Sequence, residues 1–469
     1  MIDTILLHPD GKQAVVDETE GVLTYGELKQ FVGRLKDALA ELPQYTLAIS
    51  LLPNGIACVL FYLGALAARR AHVLVDPGSA AAEALVGAYA PTLLAVKTGA
   101  KVPEKYSLWK DFGPYGLSLY IRESNETTRL IVHPSLALML TTSGSTGNPK
   151  LVRLSENNLR SNAESIIEYL RIGVGEVCIQ SLPLHYSYGL SLLNTHLLAG
   201  GTVAISRQSF MRPEFWAFAT AAKATSFAGV PYMYETLHKL RMDPFSNPTI
   251  RTATQAGGGL KTDLVEVFND SSNRAGKRFF VMYGQTEATA RIAYVPHVRL
   301  RGKIGSIGIA IPRGTLSLRE EPSTGEKEII YSGPNVMLGY AECIADLALA
   351  DVQGGVLSTG DLGTVDDDGY YRITGRLTRF AKLFGRRVHL GDIESEAEKL
   401  AGCSVAAVEN GNSLRIYVES GGVLQDPQKS IKAALAQKLG VPPAAISVAE
   451  IARIPRTSAG KKNYRDLVA

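Results

Sequence analysis

Residues 141–150 read TTSGSTGNPK, and the run has the residue types needed to hold phosphate. Glycines let a backbone approach a ligand closely, N–H groups can point at anionic oxygens, and hydroxyls and one ammonium add donors. The plain alternative is a solvated Gly/Ser linker. The flanks argue against a linker, because the apolar run 136–140 enters the loop and Leu151-Val152 leaves it. The loop is not the Walker type, Gly-x-x-x-x-Gly-Lys-Ser/Thr: Gly144 and Gly147 are three apart, and the lysine, Lys150, follows Pro149. No Gly-x-Gly-x-x-Gly follows an early strand, which removes the main argument for a dinucleotide reader.

Three ionisable residues stand out elsewhere. Glu287, in YGQTEAT (283–289), follows an apolar strand-like run. It could hold a cation, or merely sit at a helix N-terminus favoured by the dipole. Asp361, in STGDLG (358–363), precedes a hairpin and could accept from two neighbouring hydroxyls, although Asp is common in turns. Lys461, in PRTSAGKKNYR (455–465), lies where a lysine is ordinarily solvated. The triplet Gly257-Gly258-Gly259 permits a tight turn with close approach of a ligand.

The elements that must position these residues follow from periodicity. Strand-like runs at 45–52, 72–77, 92–96, 202–206 and 278–284 alternate with helical spacing over 25–39, 56–67, 157–169 and 213–222. Such alternation predicts an α/β architecture with largely parallel sheets. Beyond about residue 300 the texture changes to short strands and glycine turns, with a hairpin signal, DDDG, at 366–369. The last stretch reads as a small α+β unit with strands in VAAVEN and SLRIYVES and a helix over 427–440. A chain of 469 residues implies more than one domain. Net charge is +4, from 49 basic and 45 acidic residues, too small a bias to suggest a nucleic-acid partner. No signal peptide is visible in MIDTILLHPDGKQ, and the longest apolar run, 56–68, is too short for a membrane span. The four scattered cysteines suggest reduced thiols, no metal cluster and a cytoplasmic protein.

Taken in order, these segments resemble the adenylate-forming enzymes, the superfamily of acyl- and aryl-CoA synthetases and adenylation domains. The resemblance runs from about Leu23 to the C-terminus. It rests on LTYGELKQFVGRLKDAL (23–39), the 141–150 loop, YGQTEAT, GEKEIIYSGPNVMLGY (325–340), STGDLG, ITGR (373–376), KLFGRRVHLGDIE (382–394) and PRTSAGKKNYR. It implies a large α/β domain over residues 1–377, with parallel-rich sheets and a distorted barrel-like subdomain. A small mobile α+β lid would follow over residues 378–469.

The implied reaction joins a carboxylate to AMP with loss of pyrophosphate and then passes the acyl group to a thiol. By resemblance, Thr142, Ser143, Gly144, Ser145, Thr146, Gly147 and Lys150 hold the β- and γ-phosphates of ATP. Glu287, with the Thr142 hydroxyl, holds Mg²⁺, and Thr286 touches the α-phosphate. Tyr283, Gly284, Gly257 and Gly258 border adenine, Asp361 binds the ribose with Arg376 nearby, and Lys461 bridges the carboxylate and α-phosphate. Lys382 and Gly385 would face the active site after the lid rotates and admit a pantetheine arm. Many relatives carry an acidic pair two and three places after the hinge arginine; here Thr378 and Arg379 stand there.

LPLHYSYGL (182–190) corresponds to the segment entering the acid pocket, with His185 at the position of an aromatic residue in acyl- and aryl-CoA ligases. His185 could equally be a core histidine. No aspartate lies near this segment to hold a substrate ammonium, which is expensive to bury alone, so the acid expected lacks an α-amino group. Tyr188, Gly229, Tyr232, Gly258 and Gly259 are the other pocket candidates, and the two tyrosines favour an aryl or short acyl acid. The expected acceptor is CoA; a phosphopantetheine carrier protein, an amine, or a non-catalytic nucleotide-binding role are the alternatives.

Overall fold

The computed structural model describes residues 1–43, 46–123, 131–141, 150–320, 325–377, 380–383, 386–411, 413–422, 426–439, 441–457 and 460–467. The chain packs as two compact units, one of residues 1–315 and 331–357, the other of residues 316–330 and 358–469.

The first unit holds a nine-stranded and an eight-stranded sheet. In the nine-stranded sheet the strands Arg278–Tyr283, Thr252–Gln255, Ser226–Gly229, Val177–Gln180, Thr202–Ile205 and Gln13–Asp17 run parallel in that spatial order. The eight-stranded sheet has a parallel centre of Leu138–Thr141, Ala71–Leu74, Leu47–Leu51 and Leu93–Lys97. Both sheets acquire antiparallel edges, among them Gly21–Thr24, Ala293–Val295 and Leu117–Arg122. The parallel strands are buried on both faces, which is why they read as unbroken apolar runs.

The helices expected from periodicity form at Tyr25–Ala40, Ile56–Ala67, Glu156–Leu170 and Pro213–Ala221. Local chemistry sets their starts. Thr24 and Glu27 make a reciprocal capping box, and Ser155 and Asn158 make another. The helix Ser187–Leu198 is buried on every side, with Ser191, Asn194, Thr195 and His196 inside along with its leucines, so it carries little periodic signal.

One buried charge fastens the edge of the eight-stranded sheet. Arg153 is 0% exposed and sits on the strand Leu151–Leu154, next to the edge strand Gly339–Ala341. Its guanidinium donates to the carbonyls of Leu338, Tyr340, Leu349 and Ala350. Four carbonyls thereby gain a charged donor, Leu338 in addition to its bond from the Val352 N–H, and the 338–350 segment is pinned to the sheet.

The second unit contains most of a four-stranded sheet, Thr315–Glu320, Lys327–Ser332, Val356–Val365 and Tyr371–Arg376. Its last hairpin turns at DDDG as expected: the Asp366 carboxylate accepts from the N–H groups of Asp368 and Tyr370, and Gly369 has φ +80°. The strands Val405–Asn410, Ser413–Glu419 and Ile446–Ile451 form a three-stranded sheet. Helices Leu390–Ala401 and Pro427–Leu439 pack on it around Ile393, Ala397, Val405, Ile416 and Leu435.

Removing the Arg153 side chain takes a donor away from four carbonyls. Arg153→Ala should cost about 3 kcal/mol of stability, read from the urea midpoint; an unchanged midpoint would refute this role. Two core histidines set the acid limit. Burial lowers His72 and His196 from 6.5 to about 4, against their bonds to the Arg70 and Leu192 carbonyls. The unfolded chain takes up protons first, so stability is intact above about pH 6.5 and falls towards pH 4. Each contributes at most about 3 kcal/mol to that loss. His196→Gln should flatten the pH dependence of the melting temperature over this window.

Candidate active site

The first unit gathers most of the expected residues into one network. The strands Leu138–Thr141 and Leu151–Leu154 are antiparallel neighbours, with Thr141 opposite Leu151, so both ends of the expected phosphate loop are fixed in the sheet. Thr142, Ser143, Gly144, Ser145, Thr146 and Gly147 lie outside the described residues. Lys150 closes the loop, with Nζ 2.6 Å from Glu342 Oε1 and 5.5 Å from the centre of the Tyr340 ring. The Tyr340 hydroxyl donates to Glu287 Oε1 at 2.9 Å, and Met337 N–H donates to the Glu287 carbonyl. Burial first, then the Glu287 charge, pushes the Tyr340 hydroxyl well above its ordinary pKa, so it remains a proton donor. The ammonium and the carboxylate expected to meet the nucleotide thus share one aromatic neighbour, held in place by the Arg153 clamp.

Glu287 and Thr286 lie on a short 3₁₀ turn, Thr286–Ala288, directly after the strand ending at Tyr283. The chain doubles back so tightly that a Cβ on Gly284 would fall 1.9 Å from the Ala290 carbonyl oxygen. Ile292 N–H then donates to the Tyr283 carbonyl at 2.9 Å. Asn335 Nδ2 braces the turn by donating to the Ala288 and Arg291 carbonyls, and Thr289 donates to the Asn335 carbonyl. Thr286 Oγ1 lies 3.1 Å from Ser187 Oγ, linking the turn to the helix that follows LPLHY. Tyr283 is buried and accepts from Gln285 Nε2.

The segment 182–190 is held just as tightly. Gln180 Nε2 donates to the Leu182 and Gly189 carbonyls, and a Cβ on Gly189 would fall 2.0 Å from the Pro183 carbonyl oxygen. His185 Nε2 lies 4.0 Å from Asp76 Oδ2; burial lowers its pKa and Asp76 opposes that. Tyr188 points inward, its hydroxyl bonded to Thr254 on the nine-stranded sheet. Gly257 has φ +87°, and a Cβ there would fall 2.4 Å from the Tyr186 hydroxyl. Gly258 faces Pro231 and its carbonyl accepts from Gln255, whereas Gly259 meets nothing within 4 Å. Gly229 packs under Tyr234, and Tyr232 meets the edge of Phe210.

The second unit carries the other candidates. Asp361 is 0% exposed and pairs with Arg376 Nε at 2.7 Å across the antiparallel strands that place them opposite one another. Lys461 is half-buried in a loop closed by the Thr457 N–H to Lys461 carbonyl bond. The adjacent Lys462 is committed internally: its ammonium lies 3.2 Å from Glu394 and 2.8 Å from Glu398. Lys382 belongs to the strand Phe380–Leu383, its side chain outside the described residues, as is all of Gly385.

Glu342, Ser187, Arg153 and Arg291 were not singled out from sequence. None sits in a distinctive local pattern, and each acquires its neighbours only through pairing of distant strands and turns.

The donor set fits a magnesium ion carried on nucleotide phosphates. Such an ion takes one or two carboxylates, with phosphate and water completing its shell. Glu287 is one carboxylate, and among the described residues no group of three or more His, Cys, Asp or Glu could hold a metal alone. The glycine geometry gives a paired prediction. Gly284→Ala should destabilise the protein by about 3 kcal/mol or more, while Gly259→Ala should stay within about 0.5 kcal/mol. Similar melting temperatures for the two would refute the tight-turn account.

Comparison with known proteins shows the family. The AMP-binding enzyme family profile matches residues 4–341. The chain is 30% identical over 289 residues to feruloyl-CoA synthase of an Amycolatopsis species, covering 58% of this chain and 56% of that protein. It is 27% identical over 295 residues to the putative acyl-CoA synthetase YngI of Bacillus subtilis, covering 61% and 53%. These matches therefore span little more than half of each relative. In fold, the chain is similar to o-succinylbenzoate CoA synthetase (MenE) of Bacillus subtilis in complex with its acyl-adenylate intermediate, with TM-score 0.76, 20% identity and 99% and 97% coverage. It is also similar to ATP-bound MatB of Rhodopseudomonas palustris, with TM-score 0.77, 21% identity and 99% and 98% coverage. With the family match spanning most of its length, the chain belongs to the AMP-binding enzymes.

Proposed function

We propose that the protein is an acid–thiol ligase that activates a carboxylic acid with ATP. A carboxylate oxygen attacks the α-phosphorus, the bond to the β-phosphate bridging oxygen breaks, and pyrophosphate leaves with that electron pair. A thiol then attacks the acyl carbon and AMP departs. The observation that carries this reading is the placement of Thr286, Glu287 and Lys150 on one braced network around the ends of the 141–150 loop.

The barrier is electrostatic, because an anion must approach a polyanion; fixed cations and donors therefore supply most of the acceleration. Lys150 would exchange Glu342 for the β- and γ-phosphates held by Thr142–Gly147. Mg²⁺ held by Glu287 and the Thr142 hydroxyl would neutralise phosphate charge. Thr286 would donate to the α-phosphate, Tyr283, Gly284, Gly257 and Gly258 would border adenine, and buried Asp361, steadied by Arg376, would accept from the ribose hydroxyls. Lys461 would bridge the attacking carboxylate and the α-phosphate; the engagement of Lys462 by two glutamates supports that choice. His185, Tyr188, Gly229, Tyr232, Gly258 and Gly259 would shape the acid pocket. The lid, residues 378–469, would rotate about a hinge after Arg376 and bring Lys382 and Gly385 to the thiol.

CoA is the acceptor proposed. Names among the relatives include feruloyl-CoA synthase, sulfoacetate–CoA ligase and long-chain-fatty-acid–CoA ligase, which support a CoA acceptor and span several acid classes. The test is pyrophosphate release from ATP and Mg²⁺ across an acid panel, with and without CoA. Acid-dependent release stimulated by CoA is expected; release without stimulation would favour a carrier protein or an amine. Lys461→Ala should abolish adenylate formation yet convert supplied acyl-adenylate to thioester. Normal adenylation by this variant would overturn the assignment.

A further inference from the structure

We propose that Lys462 is a positioning residue for the adenylation step: by occupying the carboxylates of Glu394 and Glu398, it keeps them from taking Lys461. This rests on the acid-activation reading above, in which Lys461 serves adenylation and not thiol transfer. The two lysines are consecutive and chemically alike, so the fold must decide which one is presented. Within the second unit the decision falls to two glutamates of the helix Leu390–Ala401.

The carboxylates form a prepared seat for one ammonium. Glu394 and Glu398 are one helical turn apart, and their side chains are only 7% and 18% exposed. Main-chain N–H groups fix both: Ala407 donates to Glu394 Oε1 at 2.7 Å, and Val405 donates to Glu398 Oε1 at 3.1 Å. The Tyr464 hydroxyl donates to Glu394 Oε2 at 3.2 Å. Two like charges this close repel, and each is costly to desolvate without a cation. Lys462 supplies that cation. Its ammonium donates to Glu394 Oε2, Glu398 Oε1 and the Val405 carbonyl, three acceptors for three N–H donors. Glu396, on the same helix, pairs with Lys438 instead.

Backbone geometry makes Lys461 the natural competitor for this seat. Arg456 and Lys462 face each other across an antiparallel bridge, with Thr457 N–H bonded to the Lys461 carbonyl and Asn463 N–H to the Pro455 carbonyl. Successive side chains of such a pair face opposite ways, so seating Lys462 on the helix turns Lys461 to the other face. A one-residue slip reverses this, and consecutive Cα atoms are only about 3.8 Å apart. With Lys462 in place the slip gains nothing, since one ammonium leaves the seat as the other enters. Without it, the unpaired carboxylates would draw Lys461 in.

The test separates the two half-reactions in wild type, Lys462→Met, the triple variant Lys462→Met/Glu394→Gln/Glu398→Gln, and the control Glu396→Gln. Adenylation is read as pyrophosphate release from ATP and Mg²⁺ with acetate, butyrate, octanoate and benzoate. Thiol transfer is read from the supplied adenylates of those acids with CoA. Lys462→Met should lose ~100-fold in adenylation kcat, the scale of a misplacement of about 1 Å, although Lys461 is intact. Its thiol transfer should match wild type. The triple variant, with no carboxylates left to take Lys461, should regain most of the adenylation, and Glu396→Gln should match wild type throughout. Acetylation by acetic anhydride, mapped by mass spectrometry, reads the lysines without turnover. Lys461 should react well before Lys462 in wild type, be protected in Lys462→Met, and react again in the triple variant. Unchanged adenylation in Lys462→Met, equal losses in both half-reactions, or no recovery in the triple variant overturns the inference and leaves acid activation standing. Silence of wild type with every acid overturns both. Should Lys462→Met fail to fold, acetylation of wild type and of Glu394→Gln/Glu398→Gln still decides: only the second should lose the difference between the lysines, and equal reactivity in wild type overturns the inference.

Discussion

The Arg153 guanidinium is the point on which the network around Lys150 and Glu287 depends. A charge at 0% exposure is tolerated only with its donors occupied, and four main-chain carbonyls of the 338–350 segment occupy them. The requirement works in both directions. The arginine needs the carbonyls, and the carbonyls of Tyr340, Leu349 and Ala350 gain a donor from it. Satisfying both fixes the strand Gly339–Ala341 against Leu151–Leu154. Tyr340 and Glu342 are thereby set around Lys150, and Tyr340 reaches Glu287.

Close backbone approach does the equivalent work at the 283–291 turn. Gly284 lets the chain fold back against the Ala290 carbonyl, and Asn335 satisfies two carbonyls that the turn exposes. Thr286 and Glu287 are thus presented from a rigid corner of the sheet rather than from a mobile loop. Preorganisation of this kind would serve the proposed acid activation, whose main difficulty is charge repulsion, since donors already in place need not reorganise as charge develops. Burial sorts the lysines and arginines by role as well. Lys462, Arg153 and Arg70 are used up internally, and Arg291 is buried against the Tyr188 ring.

Much of the fold was legible because its signals are local. Helix positions came within a residue or so of the observed ones where apolar spacing met a cap, as at Thr24 and Ser155. The DDDG hairpin and the terminal α+β unit were legible for the same reason: turn chemistry and alternation act over a few residues. The antiparallel sheet edges were not, since strand direction depends on where the chain returns. The helix Ser187–Leu198, buried on every side, offered no apolar periodicity to read.

The site divides along the same line. Sequence alone determined which motifs stand in the chain and in what order, the 141–150 loop, Glu287, Asp361 and the tail lysines, because each is a short run of residues. Tertiary structure alone decided that Glu342 pairs with Lys150, that Lys462 is spoken for by Glu394 and Glu398, and that Arg291 is buried against the Tyr188 ring. Each of these is a statement about which polar atoms lose water and what replaces it. Desolvation is set by residues brought together across long stretches of chain, and no local spacing encodes it.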